Sequence, residues 1–384
     1  MREMKDSGVE WIGQIPKDWD VVPHKRVMHK VKEICEQYNG EDIISLTMNG
    51  VIKRDLAAGG KMPTSFDGYQ YVKPNDLLLC LFDIDVTPRC VGVVKDYGVT
   101  SPAYSRFIMH DGYYNVYYDY LLRAIDDDKV FVHLSKNLRS SLTESDFGTI
   151  KTCVPSLAEQ ERIAAFLDAE CAEIDAVLEK TRASIEEYKK LKQAVITQAV
   201  TKGIFDKQIY PHNVKLKYLL YIVSGDAIRN EELSEVGKYP AYGGGESLGF
   251  ASTYNTLENS LIIGRVGARC GCVTYIDSKA WATDNALIVR PICNTRYMYY
   301  VLINSQLNNL NTSNAQPLIT ATKVRNVVVP YFLEDIYQKK IVEFLDEKCA
   351  GIDVLITKKQ QYLTEIENYK RSLIYEYVTG KREI

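Results

Sequence analysis

Apolar positions along this chain follow two rhythms. Short apolar runs bounded by turn residues alternate with two long stretches whose seam positions step by four and three. The first stretch carries Leu167, Cys171, Ile174, Leu178, Thr181, Ile185, Tyr188, Lys192, Val195 and Ala199; the second carries Leu345, Cys349, Ile352, Ile356, Lys359, Leu363, Ile366, Lys370, Leu373 and Tyr377. That spacing puts the side chains along one seam of a helix and predicts a coiled coil. No Pro or Gly interrupts residues 160–201, and Gly351 alone interrupts residues 338–379, at a cost near ~1 kcal/mol. At 1.5 Å per residue each helix runs roughly 60 Å, longer than a globular domain ordinarily needs.

The two stretches are one helix written twice. An offset of 178 positions holds without a gap: Phe166-Leu167-Asp168 matches Phe344-Leu345-Asp346, Cys171-Ala172 matches Cys349-Ala350, and Ile174-Asp175 matches Ile352-Asp353. A period this long is an internal duplication and not a solenoid. Chain continuity then predicts the geometry. The first helix delivers the chain to a second region from which the second helix departs, so two paired seams must run antiparallel with a globule at each end. A unit duplicated in this way implies a pseudo-two-fold repeat, as in a dimer fused into one chain.

Between the helices the pattern is mixed. Strand-like runs fall at residues 43–46, 77–82, 91–94 and 106–109 with a helix over 117–125; they recur at 261–263, 272–276 and 286–289 with a helix over 297–304. Val154-Pro155 introduces the first long helix as Val329-Pro330 introduces the second. The predicted class is therefore α+β: two globular mixed α/β domains, residues 1–154 and 204–330, separated by two long antiparallel helices, residues 155–203 and 331–384. The scaffolds look alike and the loops do not, as expected of recognition domains that read different targets.

Composition adds limits. Of 384 residues, 46% are hydrophobic and 25% charged, an ordinary soluble balance. No apolar run approaches the roughly 18 residues of a membrane span, and the first residues do not read as a signal peptide. Nine cysteines without a CxxC pair suggest reduced thiols and a cytoplasmic protein. Cys270-Gly271-Cys272 is the nearest approach to a metal motif, and no metal is expected. The net charge of −3 argues against indiscriminate polyanion binding, so a nucleic-acid surface would have to be a local patch.

The common catalytic motifs are absent: no dinucleotide fingerprint, P-loop, zinc-protease helix or nucleophile elbow. Asp83 and Asp85 read as solvated, and residues 242–246 as a glycine-rich turn. What remains is a set of loop cations, amides and one tyrosine. In the first domain these are Lys53, Arg54, Lys61, Arg89, Arg106, Lys136 and Arg139; in the second, Lys238, Tyr242, Arg265, Arg269, Asn314, Gln316, Lys323 and Arg325. Arg and Lys suit phosphates and guanine edges, Asn and Gln suit adenine edges. They are the candidate DNA-binding residues.

Several segments resemble one family. Residues 6–16 (Asp6 to Pro16), Ser101-Pro102-Ala103-Tyr104, Ile263-Gly264-Arg265-Val266-Gly267 and residues 281–287 (Trp281 to Leu287) are similar to specificity subunits of Type I restriction–modification systems. Pro155-Ser156-Leu157-Ala158-Glu159-Gln160, followed by Ile163, resembles the start of that family's helix. The second helix departs from this pattern, with three extra residues after Pro330 and Asp335 with Gln338 in place of the compact Glu-Gln pair. The resemblance implies two target-recognition domains, each reading half of a bipartite double-stranded DNA site, with the helices fixing the spacer. It also implies partners: two modification (methyltransferase) subunits and motor–nuclease restriction subunits. S-adenosylmethionine, ATP and Mg would then sit in the partners, with no cofactor or bond-making residue in this chain. Two other readings stay open, a coiled-coil scaffold whose heads bind protein or sugar, and a self-contained methyltransferase or nuclease.

Overall fold

The computed structural model describes residues 2–48, 50–56, 63–87, 89–135, 140–205, 209–244, 246–311 and 317–384. The chain forms two compact units, Met1–Thr181 with Tyr362–Ile384, and Arg182–Gln361. Both long helices are present, Leu157–Lys202 of 46 residues and Asp335–Val378 of 44. Asp335 lies 178 positions after Leu157, so the second helix starts in register with the first despite its different sequence there. Each helix is followed by a glycine with positive φ, Gly203 at 77° and Gly380 at 69°, the left-handed residue that ends a helix without a Cβ clash.

Direction is read inside each unit. In the first, the Phe166 ring lies 4.5 Å from that of Tyr377, and Asp175 accepts from Lys370 Nζ at 2.6 Å. Later positions on one helix meet earlier positions on the other, so the helices run antiparallel. In the second, Lys192 Nζ reaches Asp353 at 2.6 Å. Adding 178 to Asp175 and Lys192 gives Asp353 and Lys370, so the same ion pair is built twice with its ends exchanged. The seam positions behave as their spacing predicts. Leu167, Cys171, Leu178, Ile185, Leu345, Cys349 and Ile352 are buried, and Ile174, Ile356 and Leu363 half-buried. Thr181 is buried too, and its hydroxyl donates to Val177 O at 2.8 Å on its own helix.

Each unit packs the long helices on a four-stranded antiparallel sheet. In the first unit the spatial order is Met28–Val31, Ser105–Met109, Leu77–Leu79, Val91–Val93. In the second it is Leu220–Ser224, Ala286–Pro291, Ser260–Gly264, Val273–Ile276. Both read first, last, second, third in chain order. One face of the first sheet sends Leu77, Leu79 and Phe107 into a core with Tyr117, Tyr118 and Leu121 of helix Asn115–Asp127, and with Leu167 and Tyr377 of the long helices. The second sheet does the same with Leu261, Ile263 and Val289 against Tyr297, Met298 and Val301 of helix Thr295–Asn304, and Leu345.

The opposite face of each sheet is covered by a hairpin. In the first unit this is Ile44–Thr47 with Gly50–Lys53, burying Ile44 and Val51 on Leu78. A Cβ on Gly92 would stand 2.7 Å from Val51 Cγ2, so only glycine lets the hairpin lie that close. In the second unit the hairpin is Tyr239–Gly243 with Glu246–Ala251, and Tyr242 packs against the Ile262 and Ile288 layer.

The joint between sheet unit and long helix is also duplicated. Buried Gln160 accepts from Tyr114 N at 2.8 Å and donates to Pro155 O at 2.9 Å. Buried Gln338 accepts from Asn294 N at 3.4 Å and donates to Phe332 O at 2.7 Å. Two turns further, Tyr120 donates to Asp168 at 2.7 Å and Tyr300 donates to Asp346. One core position differs: His24 opens a short 3-10 turn where Leu216 opens its counterpart, and both are fully buried. Neither His24 ring nitrogen has a hydrogen-bond partner among the described residues, and burial pushes the imidazole down to about 4.

Two outcomes are expected. Gln160→Ala leaves a buried N–H and a buried C=O unpaired and costs about 2–3 kcal/mol of unfolding free energy in urea titrations, as does Gln338→Ala. The second concerns pH. The unfolded chain binds the His24 proton below pH 6.5 while the folded chain refuses it until about pH 4. Stability therefore falls as pH drops through that window, by roughly 3 kcal/mol in all. His24→Leu should be more stable than the parent and lose that share of the acid dependence; equal urea midpoints for parent and variant from pH 7 to pH 4 would contradict this.

Candidate nucleic-acid interface

The fifteen candidates separate by what their side chains already hold. Arg106 is not on a loop. It lies in strand Ser105–Met109, is 3% exposed, and donates to Asp76 Oδ2 at 2.6 Å and to Tyr71 O at 3.0 Å. Freeing it would strand a buried carboxylate, so it is withdrawn from the set as a structural cation. Arg325 donates to Ile222 O at 2.6 Å. Ile222 belongs to the edge strand Leu220–Ser224, and helix Ala321–Arg325 lies beside it, so this arginine caps a sheet edge. Lys323, half-buried, donates to Leu310 O at 3.2 Å.

Arg89 is half-buried and turned inward. Its Nε donates to Val91 O at 2.9 Å and its Nη1 to Met48 O at 3.3 Å, while Nη2 stands 4.0 Å from Asp119. Burial, then the nearby charge of Arg123, draws its pKa below the usual arginine range. On the same hairpin Lys53 pairs with Asp42 at 2.7 Å, with both side chains exposed. Half-buried Arg54 follows, its backbone N–H bonded to Ile43 O at 2.8 Å. These two basic residues line an open cleft of about 480 Å³ with Tyr38, Glu41, Asp42 and Asp55. Lys61, Lys136 and Arg139 lie outside the described residues, as do Asn314 and Gln316.

In the second unit Lys238 is exposed, its ammonium 5.2 Å from the Tyr239 ring. Tyr242 is half-buried on the hairpin, and burial raises its pKa, so its hydroxyl keeps its proton. Arg265 is half-buried; Nη1 donates to Ser224 Oγ at 3.3 Å and Asp284 O at 3.4 Å. Its loop is pinned by backbone bonds from Arg265 N to Asn285 O and from Ile319 N to Arg265 O. Arg269 is exposed and pairs with Glu246. Arg265, Arg269 and Tyr242 thus stand on neighbouring segments of one unit, as Lys53, Arg54 and Arg89 do in the other. In each unit the cations cluster at the hairpin and the loop beside it, where fixed donors can meet a polyanion or base edges.

Glu246 and Asp119 escape sequence reading. Glu246 ends what looks like a glycine-rich turn, and only the fold puts it beside Arg269. Asp119 sits inside a helix, where its spacing to Arg123 signals an ordinary surface pair; in the structure it is 6% exposed. Cys270 is buried and Cys272 exposed. Among the described residues no three His, Cys, Asp or Glu side chains gather as metal ligands. No described helix is long and apolar enough to cross a membrane.

Residues 212–365 match the family profile described as Type I restriction modification DNA specificity domain. Over 143 residues the chain is 27% identical to the Type I restriction enzyme EcoprrI specificity subunit of Escherichia coli, covering 36% of this chain and 35% of that protein. Over 277 residues it is 23% identical to the Type I restriction enzyme MjaVIII specificity subunit of Methanocaldococcus jannaschii, covering 61% and 63%. These matches span less than two thirds of either relative. In fold, 96% of the chain superposes on 99% of a chain from a structure of a type I R-M system described for its complex assembly and conformational transition, with a TM-score of 0.73 at 15% identity. The duplicated long helix, the two sheet units of like topology and these matches make the chain similar to type I restriction–modification specificity subunits, with residues 212–365 matching the DNA specificity domain itself.

Proposed function

We propose that this chain binds double-stranded DNA and directs a type I restriction–modification complex to a bipartite target. Residues 1–154 and 204–330 act as target-recognition domains, one for each half-site, and the helical segments 155–203 and 331–384 set the unread gap between them. The observation that carries this reading is the repetition of one scaffold with unlike chemistry on its loops. Both units hold a hairpin against a four-stranded sheet, one presenting Lys53 and Arg54, the other Lys238, Tyr242 and Arg265. A shared scaffold supplies shared geometry, and different side chains supply different base preferences.

The chemistry of the complex then resides in its partners. Two modification subunits dock on the helices, bringing S-adenosylmethionine and transferring methyl to adenine; motor–nuclease subunits bring ATP and Mg. This chain contributes affinity, register and spacing. Its near-neutral charge suits a reader that grips DNA at a few fixed points rather than through a broad basic field.

Two measurements test this. Removing residues 178–184 and 356–362 takes one heptad from each helix and shortens it by about 10 Å, roughly the rise of three base pairs. The gap between methylated half-sites in a host carrying the variant should change by about that amount; an unchanged gap defeats the ruler. Second, Lys238→Ala should weaken DNA binding by the full complex about evenly across sequences and lower its salt slope by about one. A complex whose DNA affinity is indifferent to salt would instead fit a scaffold with non-DNA ligands.

A further inference from the structure

In both units an arginine from the loop beside the hairpin reaches back to the hairpin tip. Resting on the reading above, we propose that Arg89 and Arg269 are positioning residues that hold the base-reading hairpins in place, and that neither contacts DNA.

The two hairpins are topological counterparts. Each lies between the first and second strands of its four-stranded sheet in chain order. Each is flanked by a parallel contact with a later segment, Ile43 with Val99 in the first unit and Ala241 with Trp281 in the second. The loops that supply the arginines are counterparts as well, because both join the second and third sheet strands. The contacts nevertheless use different chemistry. Arg89 donates to the carbonyl of Met48 in the hairpin turn, and its guanidinium would lie 3.7 Å from a Cβ on Gly50, whose φ is +94°. Arg269 instead pairs with the carboxylate of Glu246 at the tip. Beneath that tip a Cβ on Gly264 would stand 2.3 Å from Gly244 O and 2.4 Å from Arg269 O. Hairpin and loop are pressed together over that glycine.

Charge placement points the same way. Turning Arg89 out to a phosphate would take a donor from Met48 O and from Val91 O, and a cation from beside Asp119, which is 6% exposed. Losses of that kind oppose the move. In the second unit a lone carboxylate on a DNA-facing tip would repel phosphate; Arg269 neutralises it and leaves the tip without net charge. The first hairpin is held by a bond to backbone from half-buried Arg89, with no charged partner on the hairpin among the described residues. The second is held by a pair whose side chains are 55% and 56% exposed, so its grip weakens with salt.

The test expresses the full chain with its partner modification subunits, reads the methylated motif, and measures salt-dependent DNA binding by the complex. Wild type must direct methylation to a bipartite motif; if it directs none, the functional reading itself fails. Arg89→Gln is expected to relax base preference in one half-site by about tenfold at one or more positions, leaving the other half-site and the salt slope unchanged. Glu246→Gln is expected to relax the half-site that Arg89→Gln leaves alone, and the exchange Glu246→Arg with Arg269→Glu to restore it. A salt slope lower by about one in Arg89→Gln marks a phosphate contact and overturns the proposal. So does an unchanged or sharpened motif in Glu246→Gln, the result expected if removing the carboxylate merely relieves repulsion.

Discussion

Everything in this protein hangs on the burial of one helix seam by its own duplicate. The four-three spacing from Leu167 and from Leu345 gives each long helix a narrow apolar strip, most of which is buried. An isolated helix of this composition gains little from propensity alone. Within each unit the strip is met by the opposite helix and by the core of the sheet, so helix and sheet stabilise one another. The exchanged ion pairs, Asp175 with Lys370 and Lys192 with Asp353, fix the register at the rim of that contact. Both are exposed and worth little in energy; their value is in excluding a slipped register.

Much of this was legible beforehand, because a duplication repeats its own spacing and leaves a pattern no single residue can blur. The seam, the antiparallel sense and the two mixed sheet regions follow from periodicity and chain continuity. The second helix start was harder to place, since Asp335 and Tyr337 share nothing with Leu157 and Glu159; its register is held by Gln338, whose partners are backbone groups. Side-chain roles were the least legible. Arg106 looks like any loop cation until Asp76, thirty positions away, is found against it. Arg325 and Arg89 are likewise spent on carbonyls that only the folded sheet brings near. Sequence names a guanidinium; the tertiary fold decides whether its five donors are already taken.

That distinction bears on how, on the proposed reading, a chain with a net charge of −3 would engage a polyanion. Arg106 and Arg89 turn inward and shape the loops, while other arginines stand nearer the surface with fixed backbone around them. Arg265 belongs to the second group, on a loop pinned by Asn285 and Ile319. Rigid presentation lowers the entropy that binding must remove, so on that reading a few well-held donors would achieve what a diffuse basic surface reaches by numbers alone.

Gln160 and Gln338 carry a consequence of another kind. Each accepts from a main-chain amide and donates to a main-chain carbonyl where its sheet unit meets the long helix. Peptide groups are the same whatever residues bear them, so this coupling is blind to the identity of the neighbouring head. The two unlike heads meet their helices through the same pair of main-chain bonds, so this one joint tolerates different neighbouring side chains.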